Sequence, residues 1–371
     1  MTDLGVIKPE ERAIFGLRSL YRSFGYSPFK MSKFEEYDLY VRNKSFLVSD
    51  HIITFTDTNG KLMALKPDVT LSIVKNGKDT PNGLQKLYYD ENVYRVSNGR
   101  DAYREIMQAG LECIGAVDTY CIAEVLTLAV KSLAQISDDF VLDISHLGIL
   151  SLVLDSIPVS EGAKAQLVRC VGEKNLHGID AVCATEGIDP TLADGLKTLV
   201  GGYGAPATVL PRLSAILDAS ARPLLDELAA ILSAVPTERV RIDFSVVNDL
   251  GYYNGIVFSG FVKGIPESIL SGGQYDNLMK KMGRNSRAIG FALYLDLLQT
   301  LETPPSDCDV DTVLLYDDTV CVAAVSDAVA SLTSASGESA LALRAIPPRL
   351  RYRRLLRLTP KGVCPANETD A

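Results

Sequence analysis

The chain has 371 residues, 47% hydrophobic and 22% charged, a globular balance that excludes disordered, collagenous and low-complexity classes. Lys+Arg 37 against Asp+Glu 46 leaves a net charge of -9, an unfavourable overall field for holding a polyanion. No apolar run approaches ~18 residues, and the start MTDLGVIKPEER lacks a basic segment followed by an apolar one, so neither a membrane span nor a leader is expected.

In chain order, Pro9 opens a stretch with Ile14, Leu17, Leu20, Tyr21 and Phe24 at three- and four-residue steps, which predicts an amphipathic helix over 9–25. HIITFTDTNGKLMALKP reads as an antiparallel hairpin around Asn59-Gly60. KLYYDENVYRV and YREIMQAGLECIG are two further strands joined by the polar loop SNGRDA, and 119–136 reverts to helix. From about 140 to 238 the Ala/Leu/Val content and spacing predict helices, interrupted at Pro223, with the insertion proper over 147–238. Strand character returns at VRIDFSVV and GYYNGIVFSGFVKG, then a glycine cluster (SGGQYDNL) and a helix over 287–300. TPPSD reads as a linker ending a core of residues 1–302. Beyond it, 308–360 predicts a small α/β appendix, and 361–371 a disordered tail. Strands bunched on either side of a helical block predict an α+β fold with an antiparallel sheet, not a doubly wound one.

Few residues offer chemistry. On a strand, Arg104, Ile106, Gln108, Gly110 and Glu112 share one face, an amide and a carboxylate around a glycine that lets a ligand approach the backbone. The same spacing also suits a half-solvated sheet, or a helix carrying Gln108 and Glu112 together. Asp68 and Thr70 after Pro67 can receive an ammonium group or simply begin a helix with Pro67 at its first position. The tandem Tyr252 and Tyr253 suit a pocket floor or strand core. SGGQYDNL lacks the spacing and the Lys-Ser/Thr of a phosphate-binding loop. Six arginines from Arg344 to Arg357 fit an RNA patch or a solvated amphipathic strand. Seven cysteines without a C-x-x-C pair, and three scattered histidines (His51, His146, His177), indicate reduced thiols and no metal site. No nucleophile triad stands out.

Taken in order, these segments resemble the catalytic core of class II aminoacyl-tRNA synthetases, histidyl-tRNA synthetase most. TFTDTNGKLMALKPDVT resembles that family's segment ending Leu-Arg-Pro-Glu-Gly-Thr, and YRVSNGRDAYREIMQAGLECIG its motif 2. NDLGYYNGIVF resembles the histidine-specific Arg-Gly-Leu-Asp-Tyr-Tyr-Thr-Gly segment, and SGGQYDNL with AIGFALYLDLL the glycine cluster and motif 3. The resemblance covers roughly residues 8–300. It implies a histidine pocket in which Asp68 and Thr70 face the α-amino group with Gln108 beside them. Glu112 and Tyr253, with Tyr252 adjacent, face the imidazole, and Arg95 approaches the carboxylate.

The departures bear on activity. Asn248 stands where the family has a catalytic arginine, Gly251 replaces its aspartate, Leu297 replaces the arginine that ends motif 3, and the motif 2 loop is one residue short. Charge developing on the α-phosphate during amino-acid activation needs such arginines. A synthetase core that keeps the amino-acid pocket and loses this chemistry is similar to the regulatory subunits of ATP phosphoribosyltransferase. That resemblance implies no catalytic residue, metal or cofactor of its own. It implies a cytoplasmic homodimer within a hetero-oligomer, a short-form catalytic subunit as partner, and L-histidine as effector of histidine biosynthesis, with neither membrane nor nucleic acid bound. The alternatives are a divergent histidyl-tRNA synthetase and a degenerate RNA-binding paralogue.

Overall fold

The computed structural model describes residues 8–43, 52–77, 83–96, 103–247, 252–301, 308–336 and 338–366. Asn248, Gly251, His51 and the SNGRDA loop lie outside them. The chain divides into two compact units at Leu301.

The larger unit opens with helix α1 (Pro9–Ser23), which has Glu10 and Glu11 in its first turn and buries Leu17 and Tyr21. It packs on α4 (Thr119–Ile136), where the Tyr21 hydroxyl lies 3.0 Å from Ser132 Oγ. Helix α4 is long and apolar enough to cross a membrane, but most of its side chains are spent on the core. Its Glu124 is buried and paired with Lys86 at 2.6 Å.

Beneath these helices lies an eight-stranded sheet of β1 (Ser27–Pro28), β5 (Leu84–Val96), β6 (Tyr103–Gly115), β11 (Arg287–Tyr294), β10 (Leu270–Gln274), β9 (Ile256–Val262), β7 (Phe140–His146) and β8 (Val240–Ile242), in that spatial order. It is mixed: β1 and β8, at the two edges, run parallel to their neighbours, and every other pairing is antiparallel. A second small sheet, β2 (Phe34–Glu36), β4 (Leu62–Leu65) and β3 (Thr54–Thr56), holds the hairpin whose Asp57 carboxylate accepts the Asn59 and Lys61 amides. Helices α2 (Tyr37–Arg42) and α3 (Thr70–Asn76) flank it.

Several expectations are corrected. Residues 140–146 form β7, not helix; the segment is short and almost wholly buried between β8 and β9, and its apolar run carries no helical period. Residues 287–294 likewise form β11, followed by a short 3-10 turn over Leu295–Thr300. Its apolar side chains are buried on both faces, the case in which composition cannot separate strand from helix. The glycine cluster is strand β10, and α11 (Asp276–Lys281) follows it. Tyr252 and Tyr253 precede β9 instead of lying in a strand. The insertion consists of α5 (Leu147–Asp155), α6 (Glu161–Gly172), α7 (Leu176–Glu186), α8 (Asp194–Val200), α9 (Pro206–Ile216) and α10 (Arg222–Ser233). Pro223 sits in the first turn of α10 where its missing N–H costs nothing, so the break falls earlier, at the Asp218 turn.

The smaller unit is a four-stranded sheet, β13 (Ala340–Leu343), β12 (Val310–Leu315), β14 (Tyr352–Thr359) and β15 (Gly362–Pro365), with α12 (Val322–Ser336). The tail expected from 361 is corrected at 362–365, which pair with β14. Arginines of the basic run meet acids: Arg344–Asp318 at 2.7 Å, Arg351–Asp309 at 2.8 Å, Arg353–Asp311 at 3.1 Å, and Arg354 with Glu338. The run is therefore largely neutralised in place.

Of the described glycines, Gly290 on β11 has the least room, since a Cβ there would run into Glu112 Oε2 and the Leu111 carbonyl. Gly290→Ala is expected to destabilise the chain by about 1–3 kcal/mol in urea unfolding. An unchanged midpoint would contradict that packing.

Candidate functional site

Directly paired residues of a sheet point to the same side. Register therefore sets Glu112, Gly290, Gly273 and Val257 in one row across β6, β11, β10 and β9. The adjacent row is Gly110, Ala292, Ser271 and Ser259, and Gln108 pairs with Tyr294 one row further. Small side chains thus make a shallow floor across the middle of the sheet. Gly110 makes room for Tyr89 beside it, because a Cβ there would strike the Tyr89 hydroxyl and the Phe291 carbonyl.

Glu112 lies on that floor, 2% exposed. Thr70 Oγ1 donates to its Oε1 at 2.7 Å and the Tyr275 hydroxyl to its Oε2 at 2.5 Å. Burial pushes its carboxyl up to about 8, although both hydroxyls and their hydrogen bonds pull the other way; the Asp68 charge adds to the rise. Both of these partners donate, so a proton on Glu112 finds no acceptor in either of them.

Thr70 is placed from outside the large sheet. Lys66 is fully buried and paired with Glu91 on β5 at 2.6 Å, its carbonyl accepts the Tyr94 amide, and Arg95 Nε donates to the Pro67 carbonyl at 3.1 Å. These bonds fasten the β4–α3 connection to β5. Asp68 Oδ1 then accepts the Leu71 amide at 2.9 Å, and the helix starts at Thr70 and not at Pro67. Burial raises the Asp68 carboxyl, while that amide and the Arg95 charge oppose the rise.

Two tyrosines complete the wall. The Tyr252 and Tyr253 rings meet edge-on with centroids 4.5 Å apart, and Tyr252 stands 6.0 Å from Tyr275. Tyr253 leans over Gly273 and partners Ser271, while Tyr252 partners Thr70. Burial beside Glu112 and Asp68 holds both hydroxyls protonated. The structure thus gathers Asp68, Thr70, Arg95, Gln108, Glu112, Tyr252 and Tyr253 around one floor. Tyr275, Tyr89, Tyr294 and Lys66 belong to the same site and escape sequence reasoning. Tyr275 alone carried a signal, its place just after the glycine cluster. Among the described residues no cluster of His, Cys, Asp and Glu is arranged to hold a metal.

Among the described residues, two arginines at this end of the face and one at the opposite edge of the sheet are engaged. Arg95 stacks over Tyr294 at 6.0 Å, Arg104 pairs with Asp296 at 3.1 Å, and Arg287 pairs with Asp276 and donates to the Val117 carbonyl. Leu297 lies in the 3-10 turn beyond β11 and offers no charge.

Comparisons with known proteins find chains similar to this one. The family model described as Histidyl-tRNA synthetase matches residues 7–298. An ATP phosphoribosyltransferase regulatory subunit of Oceanobacillus iheyensis is 28% identical over 296 residues, 78% of this chain and 73% of the relative. A histidine–tRNA ligase of Methanococcus maripaludis is 30% identical over 292 residues, 76% and 69% respectively. A chain of the ATP phosphoribosyl transferase complex from Thermotoga maritima superposes with a TM-score of 0.61 at 21% identity, covering 77% of this chain and 97% of that one.

The buried carboxyl has a thermodynamic signature. Its folded pKa, about 8, is raised above the ordinary 4.5, so its stabilising contribution is full below about 4.5 and is lost as pH rises through 8. Glu112→Gln cannot ionise, so its melting temperature is expected to gain on the native chain progressively between about pH 5 and pH 8 and then level off. Parallel melting curves across that range would contradict the burial of an ionisable Glu112.

Proposed function

Because the chain belongs to the histidyl-tRNA synthetase family, we propose that it binds free L-histidine and serves as the regulatory subunit of an ATP phosphoribosyltransferase. It supports a short-form catalytic subunit in the first step of histidine biosynthesis and relays feedback inhibition by histidine. It has no aminoacylation activity of its own. The reading places it in the cytoplasm as a homodimer within a hetero-oligomer. The observation that carries it is the combination of an intact amino-acid floor around Glu112 with cations tied up at its edges.

In this reading the α-ammonium of histidine sits against Asp68, Thr70 and Gln108, the ring against Glu112 and Tyr253, and the carboxylate toward Arg95. Selectivity follows from burial: Thr70 and Tyr275 fill one position on each Glu112 oxygen, and an apolar side chain would shut water from the carboxyl while offering its remaining positions no partner, a penalty of about 1–3 kcal/mol. Activation of the amino acid has less support. The pentavalent α-phosphate needs cations, and of the described arginines on this face Arg95 is held by a carbonyl and Arg104 by an acid. Regulation is then differential binding: histidine favours the arrangement of the complex that holds it more tightly, and the coupling is reciprocal.

Phosphoribosyl-ATP formation by the short catalytic subunit, measured with and without this chain across a histidine titration, tests the proposal. The expected result is activity that requires the chain and falls as histidine is added; a rate indifferent to both would overturn it. The relatives named as histidine–tRNA ligases keep a second reading in view, a divergent synthetase. Histidine-dependent ATP–pyrophosphate exchange separates the two, and it is expected to be absent. An RNA-binding role would appear as salt-sensitive retention of tRNA; the paired arginines of the smaller unit weigh against it.

The pocket also sets a pH dependence. Free imidazole titrates near ~6.5, and Glu112 near about 8. A bound pair that holds one proton exchanges none with solvent between those values. Below them the ligand must release a proton, and above them the pair must take one up. Histidine affinity is expected to be flat from about pH 6.5 to pH 8 and to fall on both sides by up to about tenfold per unit. Calorimetry across pH checks this, and affinity rising steadily through pH 8 would contradict it.

A further inference from the structure

The small-residue floor stops abruptly. Along β11 the side chains facing it run Gly290, Ala292, Tyr294, so two positions that add at most a methyl group above the sheet are followed by a phenol ring. That ring carries the Arg95 guanidinium on its face at 6.0 Å. It packs in the same apolar cluster as Tyr89 and Tyr253. Arg95 is in turn fixed by the Pro67 carbonyl. Just past Tyr294, Arg104 and Asp296 close the strand ends with an ion pair at 3.1 Å. An aromatic ring, a stacked cation and an ion pair stand in line across one end of the pocket.

We propose that Tyr294 is the end wall of this pocket and fixes the length of ligand it accepts: a free amino acid, not one extended through its carboxyl group. The inference rests on the reading that histidine binds with its ring at Glu112 and its carboxylate toward Arg95. Tyr294 pairs with Gln108, four residues from Glu112 along β6, a separation of roughly 13 Å. A hydrogen bond of about 2.8 Å at Glu112 and a contact of about 3.5 Å with the Tyr294 ring leave about 7 Å for the ligand. That accommodates one amino acid with a ring side chain. An amide, ester or mixed anhydride at the carboxyl would carry its substituent into the Tyr294 ring. Tyr294 is therefore a specificity-determining residue that acts by volume, and its hydroxyl is dispensable for this role.

The test compares two probes, L-histidine and L-histidine benzylamide, by calorimetry on the native full chain and on Tyr294→Ala, Tyr294→Val and Tyr294→Phe. The ratio of the two dissociation constants within each protein removes the cost of losing the carboxylate charge, which is common to all four. The native chain and Tyr294→Phe are expected to exclude the benzylamide. Tyr294→Ala and the strand-compatible Tyr294→Val are expected to lower the ratio by about tenfold or more as the blocked volume opens. Their melting transitions report that they are folded, and the ratio within each protein absorbs whatever histidine affinity is lost with the cation–aromatic contact. If either small variant binds histidine yet excludes the benzylamide as strongly as the native chain, the end-wall role is wrong and the histidine reading stands. If the native chain binds no histidine, the reading and the inference fail together.

Discussion

A carboxyl group buried in the middle of a β-sheet constrains this molecule more than any other feature. Glu112 rests on Gly290, accepts hydroxyls from Thr70 at 2.7 Å and Tyr275 at 2.5 Å, and stays 2% exposed. Each partner has to be delivered from a different part of the chain. Thr70 arrives because Lys66 and Arg95 fasten the start of α3 to β5. Tyr275 arrives because β10 ends beside β11 and turns into α11, whose Asp276 accepts the Ala288 amide. A group that burial holds near a pKa of about 8 rewards any ligand able to share its proton, and an imidazole is such a ligand.

The same economy of charge runs through the rest of the chain. Among the described residues, Arg95 and Arg104 at the pocket face are held by a carbonyl, a ring or an acid, and arginines of the smaller unit pair with acids. A scaffold whose relatives include both regulatory subunits and histidine–tRNA ligases can keep amino-acid recognition while losing phosphate chemistry, because the two rely on different groups. Recognition uses hydroxyls and carboxyls fixed by the sheet register. Activation needs arginines that are free to follow a developing negative charge.

Much of this was legible in the sequence, and the parts that were not have physical reasons. Helices α1 and α4 and the alternation of β6 announce themselves by period, and β6 carries Gln108 and Glu112 on the pocket face. Strands β7 and β11 hide because burial on both faces removes alternation and leaves a continuous apolar run. The tyrosines are silent for another reason. Whether Tyr275, Tyr89 or Tyr294 meets the pocket depends on which strands pair and in what register, and that is decided by tertiary packing. Pro67 misled locally, since a proline suits a first helical turn; here Asp68 takes the capping role and the helix waits for Thr70.

The most direct test of the account is where the shared proton resides. Nitrogen-15 NMR of ring-labelled L-histidine bound to the chain at about pH 7.3, above the ~6.5 of free imidazole, reads this without reference to any partner. With two hydroxyls already donating to Glu112, the carboxyl is best served as an anion accepting a third donor. The account therefore predicts the shifts of a doubly protonated ring. A bound ring with neutral shifts, or no bound resonance at all, would contradict it.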